Sequence, residues 1–224
     1  MKLAIRTVAS MAAGLAFFAV TLFWPAGTFR YWQAWLFVAV FALATLLPSL
    51  YLAVADPDAL ARRMHAGPTA ETRPAQRLVM SAIYLLSAAL FVVSALDHRF
   101  GWSSVPTWLV IAGNVLVAVG LVVAQLVVIQ NGYAAATITV EAGQRLVTTG
   151  LYGLVRHPMY AGGLVMMLGT PLALDSYWGL AVLVPSAVVL GARIVDEERM
   201  LTEQLPGYRE YRQRVRYRLI PNVW

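Results

Sequence analysis

Six apolar runs constrain this chain more than any other feature of its sequence. A transmembrane helix needs about 20 consecutive, mostly apolar residues. Only 12% of the 224 residues are charged, whereas soluble domains carry about 25%. The sequence therefore predicts an all-α integral membrane protein with about five to six transmembrane helices, whose short, glycine-rich fifth run is a complete, partial or tilted span. The runs are 8–24, 32–55, 78–96, 108–129, 159–174 and 179–195.

The basic residues fall almost entirely on one side of the predicted membrane. Eight lysines and arginines lie on that side before residue 193 and seven between 193 and 218, so 8 + 7 = 15 of 17 share it. Arg30 and Arg99 lie on the other side. Positive loops remain cytoplasmic, which predicts cytoplasmic N- and C-termini in a bacterial inner membrane. The net charge of +6 then reflects topology and contact with membrane lipids, and nucleic-acid binding is not expected.

Metal chemistry is not expected either. The chain has no cysteine, and its three histidines, His65, His98 and His157, are far apart in sequence. None of them has the spacing of metal ligands. Glycine-rich phosphate loops of the Walker or dinucleotide type are also missing from the sequence.

The chain forms one integrated domain with two parts. Residues 1–130 contain the first four apolar runs, and residues 131–224 contain most of the polar residues that suggest chemistry. Two short stretches, Thr137–Val140 and Leu146–Thr149, flank a possible turn at Gly143 and weakly indicate a loop or hairpin before the fifth helix. The C-terminal part is predicted to end in a cytoplasmic helical cap with an amphipathic tail.

A polar segment centred on Arg156 and His157 interrupts the apolar runs. Ionisable residues at a membrane edge are costly enough to be functional candidates. Pro158 favours a helix start and an extended His157, so the fifth helix is predicted to begin at Pro158. The N-terminus of that helix attracts anions. A basic anchor at the lipid headgroups is the alternative reading.

A second polar cluster follows at residues 196–198. Helical phase places Glu198 with Ile194, Leu201 and Leu205 on one apolar stripe, whereas its acidic neighbours point elsewhere. A buried acid needs a partner. Arg156, Arg193 or a cationic ligand can supply it, and the alternative reading is an internal salt bridge.

Taken together, these segments resemble the integral membrane methyltransferases of the isoprenylcysteine carboxyl methyltransferase type and their phospholipid-methylating relatives. A similar Arg-His-Pro segment also occurs in membrane sterol reductases, which bind NADPH. The resemblance covers residues 125–221. It is carried by Gly150-x-Tyr152-x-x-Val155-Arg156-His157-Pro158-x-Tyr160-x-Gly162, then Glu197-Glu198-x-x-Leu201, Gly207-Tyr208-x-x-Tyr211 and Pro221.

The resemblance implies that the C-terminal part holds S-adenosylmethionine and that a lipophilic acceptor enters from the bilayer. The acceptor is expected to be the carboxylate of an isoprenylcysteine-like or other lipid-like molecule. Arg156 and Glu198 are the expected catalytic residues, and Arg156 is expected to orient the acceptor. An NADPH-dependent reductase and a non-catalytic membrane protein that binds a lipid or a partner remain as alternatives. The cofactor-binding residues implied are Tyr152, His157, Tyr160, Glu198, Arg193, Asn131 and Gln144.

Overall fold

The computed structural model describes residues 12–64, 67–71, 73–134, 137, 140 and 143–224. These residues form helices and no strands, so the prediction of an all-α membrane protein is confirmed. Short 3-10 turns cover Gly150–Gly153 and Trp178–Val182, and the second continues directly into the helix Leu183–Gln204. The helices are α1 (Ala12–Ala26), α2 (Trp32–Ala55), α3 (Pro57–Met64), α4 (Pro74–Phe100), α5 (Thr107–Gln130), α6 (Pro158–Ala173), α7 (Leu183–Gln204) and α8 (Tyr208–Arg214).

Within the described ranges, four helices are long and apolar enough to cross a membrane. They are α2, α4, α5 and the continuous helix Trp178–Gln204. The apolar helix α1 and the 16-residue helix α6 are shorter. Prolines at the first turns of α4 and α6 set where these helices begin, because the missing N–H of proline costs nothing there.

The predicted hairpin is not observed where the structure describes its residues. Leu146–Thr149 runs as irregular chain, without strand pairing. Ile138, Thr139, Glu141 and Ala142 lie outside the described residues. The described residues 143–149 therefore form irregular chain that leads into the 3-10 turn Gly150–Gly153.

Three hydrogen bonds show that α6 reaches the far end of the bundle despite its length. At the end of α6, the Leu174 carbonyl accepts a 2.5 Å hydrogen bond from the Tyr31 hydroxyl, which precedes α2. Next to it, Asp175 accepts hydrogen bonds from Gln33 at 3.0 Å and from the Val105 backbone at 2.7 Å. α6 begins beside Arg156, so its length of about 24 Å joins that end of the bundle to these contacts.

Glycines allow α5 and α6 to pack backbone against backbone. A methyl group at Gly169 would lie 2.5 Å from the Gly113 carbonyl oxygen, and one at Gly162 would lie 2.8 Å from the Gly120 carbonyl oxygen. Helices in lipid often associate through such small residues. A methyl group at Gly163, on the same helix, would instead meet no atom within 4 Å.

We predict that Gly169→Ala lowers the free energy of unfolding in detergent by about 1–3 kcal/mol, because the new methyl group must push the two helix backbones apart. Gly163→Ala is the matched control on the same helix and should leave stability nearly unchanged. Thermal unfolding of the two purified variants checks this. Equal midpoints would contradict the packing described here.

Candidate active site

A cavity lies at the Arg156 end of the bundle, between the α5–α6 segment, the start of α6, the last turns of α7, and α8. Five tyrosines and His157 give it an aromatic wall. Methionine and leucine side chains, among them Met159 and Leu201, line the remainder. The polar and aromatic lining residues are Asn131, Tyr133, Thr137, Gln144, Arg145, Tyr152, Arg156, His157, Tyr160, Glu197, Tyr208 and Tyr211.

Local backbone structure places Arg156 and His157 at the cavity. His157 caps α6 in a non-helical conformation (φ −123°, ψ 63°), as Pro158 requires. The N–H groups of Arg156 and His157 each donate a 2.9 Å hydrogen bond to the C-terminal tail, at the carbonyls of Tyr217 and Arg218. The tail therefore holds the polar segment by its backbone and leaves both side chains to other partners.

Glu198 forms the centre of a buried ion-pair cluster. Its Oε1 accepts from Arg156 Nε at 2.6 Å and lies 3.3 Å from His157 Nε2. Its Oε2 accepts from Arg218 Nε at 3.0 Å. The Glu198 side chain is only 3% exposed, and it is absent from the described cavity lining. Glu198 thus has the internal partner that its place on the apolar stripe demanded, and it acts on the cavity through Arg156 and His157.

Arg156 donates its other hydrogen bonds to backbone carbonyls that follow α8. Its Nη1 donates to the carbonyls of Val215 at 2.8 Å and Arg216 at 2.7 Å. With Nε directed to Glu198, these bonds occupy two of the three guanidinium nitrogens. Nη2 has no hydrogen bond to any described residue, so it is the nitrogen that remains for a molecule in the cavity.

Glu197 is the carboxylate that lines the cavity. Its Oε2 accepts a 2.6 Å hydrogen bond from the Tyr160 hydroxyl. Glu197 takes part in no ion pair with the residues that the structure describes. Arg193 reaches this carboxylate across the shared Tyr160 hydroxyl, and the carboxylate also faces the cavity, where it can meet a cationic group.

Arg193 lies behind this wall. Its Nε donates to the Tyr160 hydroxyl at 3.0 Å, and its Nη atoms donate to Glu71 at 3.1 Å and to Gln76 at 2.9 Å. It is absent from the described cavity lining and is 4% exposed. Arg193 thus orients Tyr160 and joins α7 to the start of α4.

The α5–α6 segment contributes the opposite wall. Asn131 Nδ2 donates to the Tyr152 hydroxyl at 3.1 Å, and the Tyr211 hydroxyl donates to the Tyr152 carbonyl at 2.7 Å. Burial raises the pKa of Tyr152, and the nearby Glu197 carboxylate raises it further. The Tyr152 phenol therefore stays protonated at neutral pH. Gln144 also lines the cavity.

Several lining residues were not predicted as site residues from the sequence, among them Arg145, Glu197 and Tyr133. Arg145 is exposed and forms no ion pair within the described part of the chain. Glu197 directly precedes Glu198 in the sequence, and helical phase favours Glu198 as the site residue because Glu198 lies on the apolar stripe. The two acids differ in what their side chains face. The packed structure, and not the helical phase, shows that Glu197 lines the cavity.

Comparisons with known proteins agree with this organisation. Residues 108–207 match the family model described as phospholipid methyltransferase. The fold matches that of the eukaryotic intramembrane Ras methyltransferase ICMT (isoprenylcysteine carboxyl methyltransferase), with a TM-score of 0.53 and 18% sequence identity over 97% of this chain and 86% of that chain. The predicted resemblance to ICMT-like integral membrane methyltransferases is therefore confirmed.

Two curated proteins share parts of the sequence. Mouse Delta(14)-sterol reductase TM7SF2 is 35% identical over 95 residues, which are 39% of this chain and 22% of the reductase. The cobalt-zinc-cadmium resistance protein CzcN of Cupriavidus metallidurans is 31% identical over 109 residues, which are 48% of this chain and 49% of CzcN. The matches thus span about a fifth and about half of these proteins.

We predict that replacing the two adjacent acids lowers stability to very different extents. Glu198→Gln leaves Arg156 and Arg218 beside a neutral amide in a buried site and should cost about 3–5 kcal/mol of unfolding free energy. Glu197→Gln keeps an acceptor for Tyr160 and removes no ion pair, so it should cost less than about 1 kcal/mol. Unfolding in mixed micelles measures both, and a stable Glu198→Gln variant would contradict the cluster's structural role.

Proposed function

We propose that this protein transfers a methyl group from S-adenosylmethionine to a lipophilic acceptor held in the membrane. The observation that carries the proposal is the charge pattern of the cavity. Glu197 and Arg145 are opposite charges, both without an ion pair among the described residues, and both line a cavity with five tyrosines. The methyltransferase family match over residues 108–207 supports the same class of reaction.

The residue types of the cavity fit this cofactor. Its ammonium group needs an anion, which Glu197 supplies, and its carboxylate needs donors, which Arg145 and Gln144 supply. A sulfonium is a soft cation, and tyrosine faces attract cations when water is displaced. The Tyr152 phenol stays protonated, and the Tyr160 hydroxyl donates to Glu197. Both residues therefore form aromatic walls of the cavity and act as hydrogen-bond donors.

When bound, S-adenosylmethionine supplies an electrophilic methyl group. The protein's own contribution is then alignment and the exclusion of water, since displacement at a methyl group needs little else. Arg156 lines the cavity and is held by Glu198 and by two backbone carbonyls, and its Nη2 has no described partner. A carboxylate on the acceptor would be oriented by this nitrogen.

The ionisation states favour an acid as the acceptor. A carboxylate is already deprotonated at neutral pH, whereas an ammonium must first lose a proton. Burial raises the pKa of Tyr152, Tyr208 and Tyr211, so none of these phenols is a phenolate that takes up such a proton. We therefore propose O-methylation of a lipid-like carboxylate.

The direction of the protein in the membrane is part of the proposal. The apolar runs divide the sequence so that 15 of 17 basic residues share one side, and by the positive-inside rule we propose that the cavity and both termini lie on the cytoplasmic side. In a bacterium, this corresponds to the inner membrane. The acceptor then enters from the cytoplasmic leaflet.

A second candidate is a reductase that uses NADPH, and the 35% identity with a sterol reductase favours it. A dinucleotide with a 2′-phosphate brings several negative charges. The described cavity lining offers two arginines, one of them neutralised by Glu198, and places Glu197 among them. This pattern suits a zwitterion better than a polyanion.

We predict that the detergent-solubilised protein binds S-adenosylhomocysteine and not NADPH in isothermal titration. Glu197→Gln and Arg145→Gln should each weaken the binding about tenfold or more, because each removes a charged hydrogen-bond partner. Glu210→Gln, an exposed acid outside the described lining, is the matched control. Binding of NADPH in place of S-adenosylhomocysteine would favour the reductase, and binding of neither would favour a non-catalytic protein.

We also predict that lipids methylated by the protein carry a base-labile group. Membranes containing the protein are supplied with cofactor labelled in its methyl group, and the extracted lipid is treated with mild alkali. A methyl ester releases the label as volatile methanol, because hydroxide cleaves esters. Label that resists alkali would indicate methylation of nitrogen or sulfur and would refute a carboxylate acceptor.

A further inference from the structure

A second depression also reaches Arg156, at the junction of α7 and α8. Thr202 of α7 and Arg209, Arg212 and Gln213 of α8 form its other walls. This lining contains three guanidinium groups, one hydroxyl and one amide, and no carboxylate. We call it the basic depression.

The positive charge of the basic depression is largely uncompensated. Arg156 is paired with Glu198, but Arg209 and Arg212 form no ion pair with any residue that the structure describes. Arg212 Nη1 donates only to the Thr202 hydroxyl, at 3.1 Å. Residues 208–224 contain five arginines and a single acid, Glu210. The site therefore attracts anions.

The position of Thr202 along its helix places the basic depression at the depth of lipid headgroups. Trp178, exposed at the other end of the bundle, begins the continuous helix that ends at Gln204. Thr202 lies 24 positions after Trp178, or about 36 Å along the helix, whereas the hydrocarbon core is about 30 Å thick. With Trp178 at one interface, Thr202 reaches the headgroup layer of the opposite leaflet.

The C-terminal tail supports this depth. Trp224 folds back along α7, where its ring lies 3.9 Å from the position of a methyl group at Gly191. Ile220 and Val223 of the tail are exposed, at 50% and 75%. Gly191 precedes Thr202 by about 16 Å of helix. The apolar side of the tail thus faces hydrocarbon, and the arginines of α8 lie beyond it, where phosphates are found.

We propose that the basic depression binds the phosphate of an anionic glycerophospholipid from the leaflet at the Arg156 end. Its three guanidinium groups carry only hydrogen-bond donors, and one guanidinium group can bind two phosphate oxygens at once. A zwitterionic lipid carries a cationic headgroup that Arg209 and Arg212 would repel. Because Arg156 lines both the cavity and the basic depression, the bound lipid touches a residue of the cavity wall.

Thermal unfolding of the detergent-solubilised protein with added short-chain lipid tests the proposal. Short-chain phosphatidylglycerol should raise the unfolding midpoint in a saturable manner, and the same concentration of phosphatidylcholine or inorganic phosphate should not. Arg209→Gln should weaken the apparent affinity about fivefold. Arg209 is exposed and has no described partner, so its replacement does not threaten folding.

Arg214→Gln is the matched control, since Arg214 is an exposed arginine of the same helix outside the described lining of the basic depression. An unchanged affinity in this variant supports a defined site. An equal loss in both variants would show diffuse surface attraction and overturn the proposal. An equal response to inorganic phosphate would show that the site binds a free anion and would refute a lipid ligand. No response to phosphatidylglycerol would also refute the site. None of these results depends on binding of S-adenosylhomocysteine.

Discussion

The buried carboxylate of Glu198 holds together the end of the bundle where the cavity lies. It joins α7 to the start of α6 through Arg156 and His157, and to the C-terminal tail through Arg218. The tail in turn accepts the backbone N–H groups of Arg156 and His157. Removing a charge from such a cluster exposes the remaining charges to an apolar surrounding, which is costly. The cluster is therefore the framework on which the cavity is built.

Two adjacent acids serve different purposes because of this framework. Glu198 is fully engaged by cations and keeps Arg156 in place, whereas Glu197 faces the cavity with a tyrosine as its described partner. A helix turns by 100° per residue, so neighbouring side chains necessarily face different surroundings. Arg193, one turn before Glu197, lies on the same side of α7, donates to Tyr160 and ties α7 to Glu71 and Gln76. One helix thus supplies a structural anion, a cavity anion and an interhelical link.

The membrane explains the distribution of polar residues through the fold. Contacts among α5, α6 and their neighbours are made by apolar side chains and by glycines, which allow close approach without a hydrophobic driving force. Polar contacts gather at the two ends, around Arg156 and around Asp175. This separation is energetically favourable in a membrane, because an unpaired polar group in hydrocarbon is strongly destabilising. A site for charged ligands can then exist only at an end, next to water and headgroups.

The order of the apolar runs and the prolines determined the helices, because a run of about 20 apolar residues and a proline at a helix start act locally. The same local reasoning placed Glu198 on a buried stripe and named Arg156 as a partner, although 42 residues separate them. The partners of Arg193 could not be predicted, because Glu71 lies 122 residues away in the sequence. Which acid faces the cavity, and that tail carbonyls hold Arg156, depended on the packed tail and helices. Periodicity reports which face of a helix is apolar, but only the tertiary structure decides what each face meets.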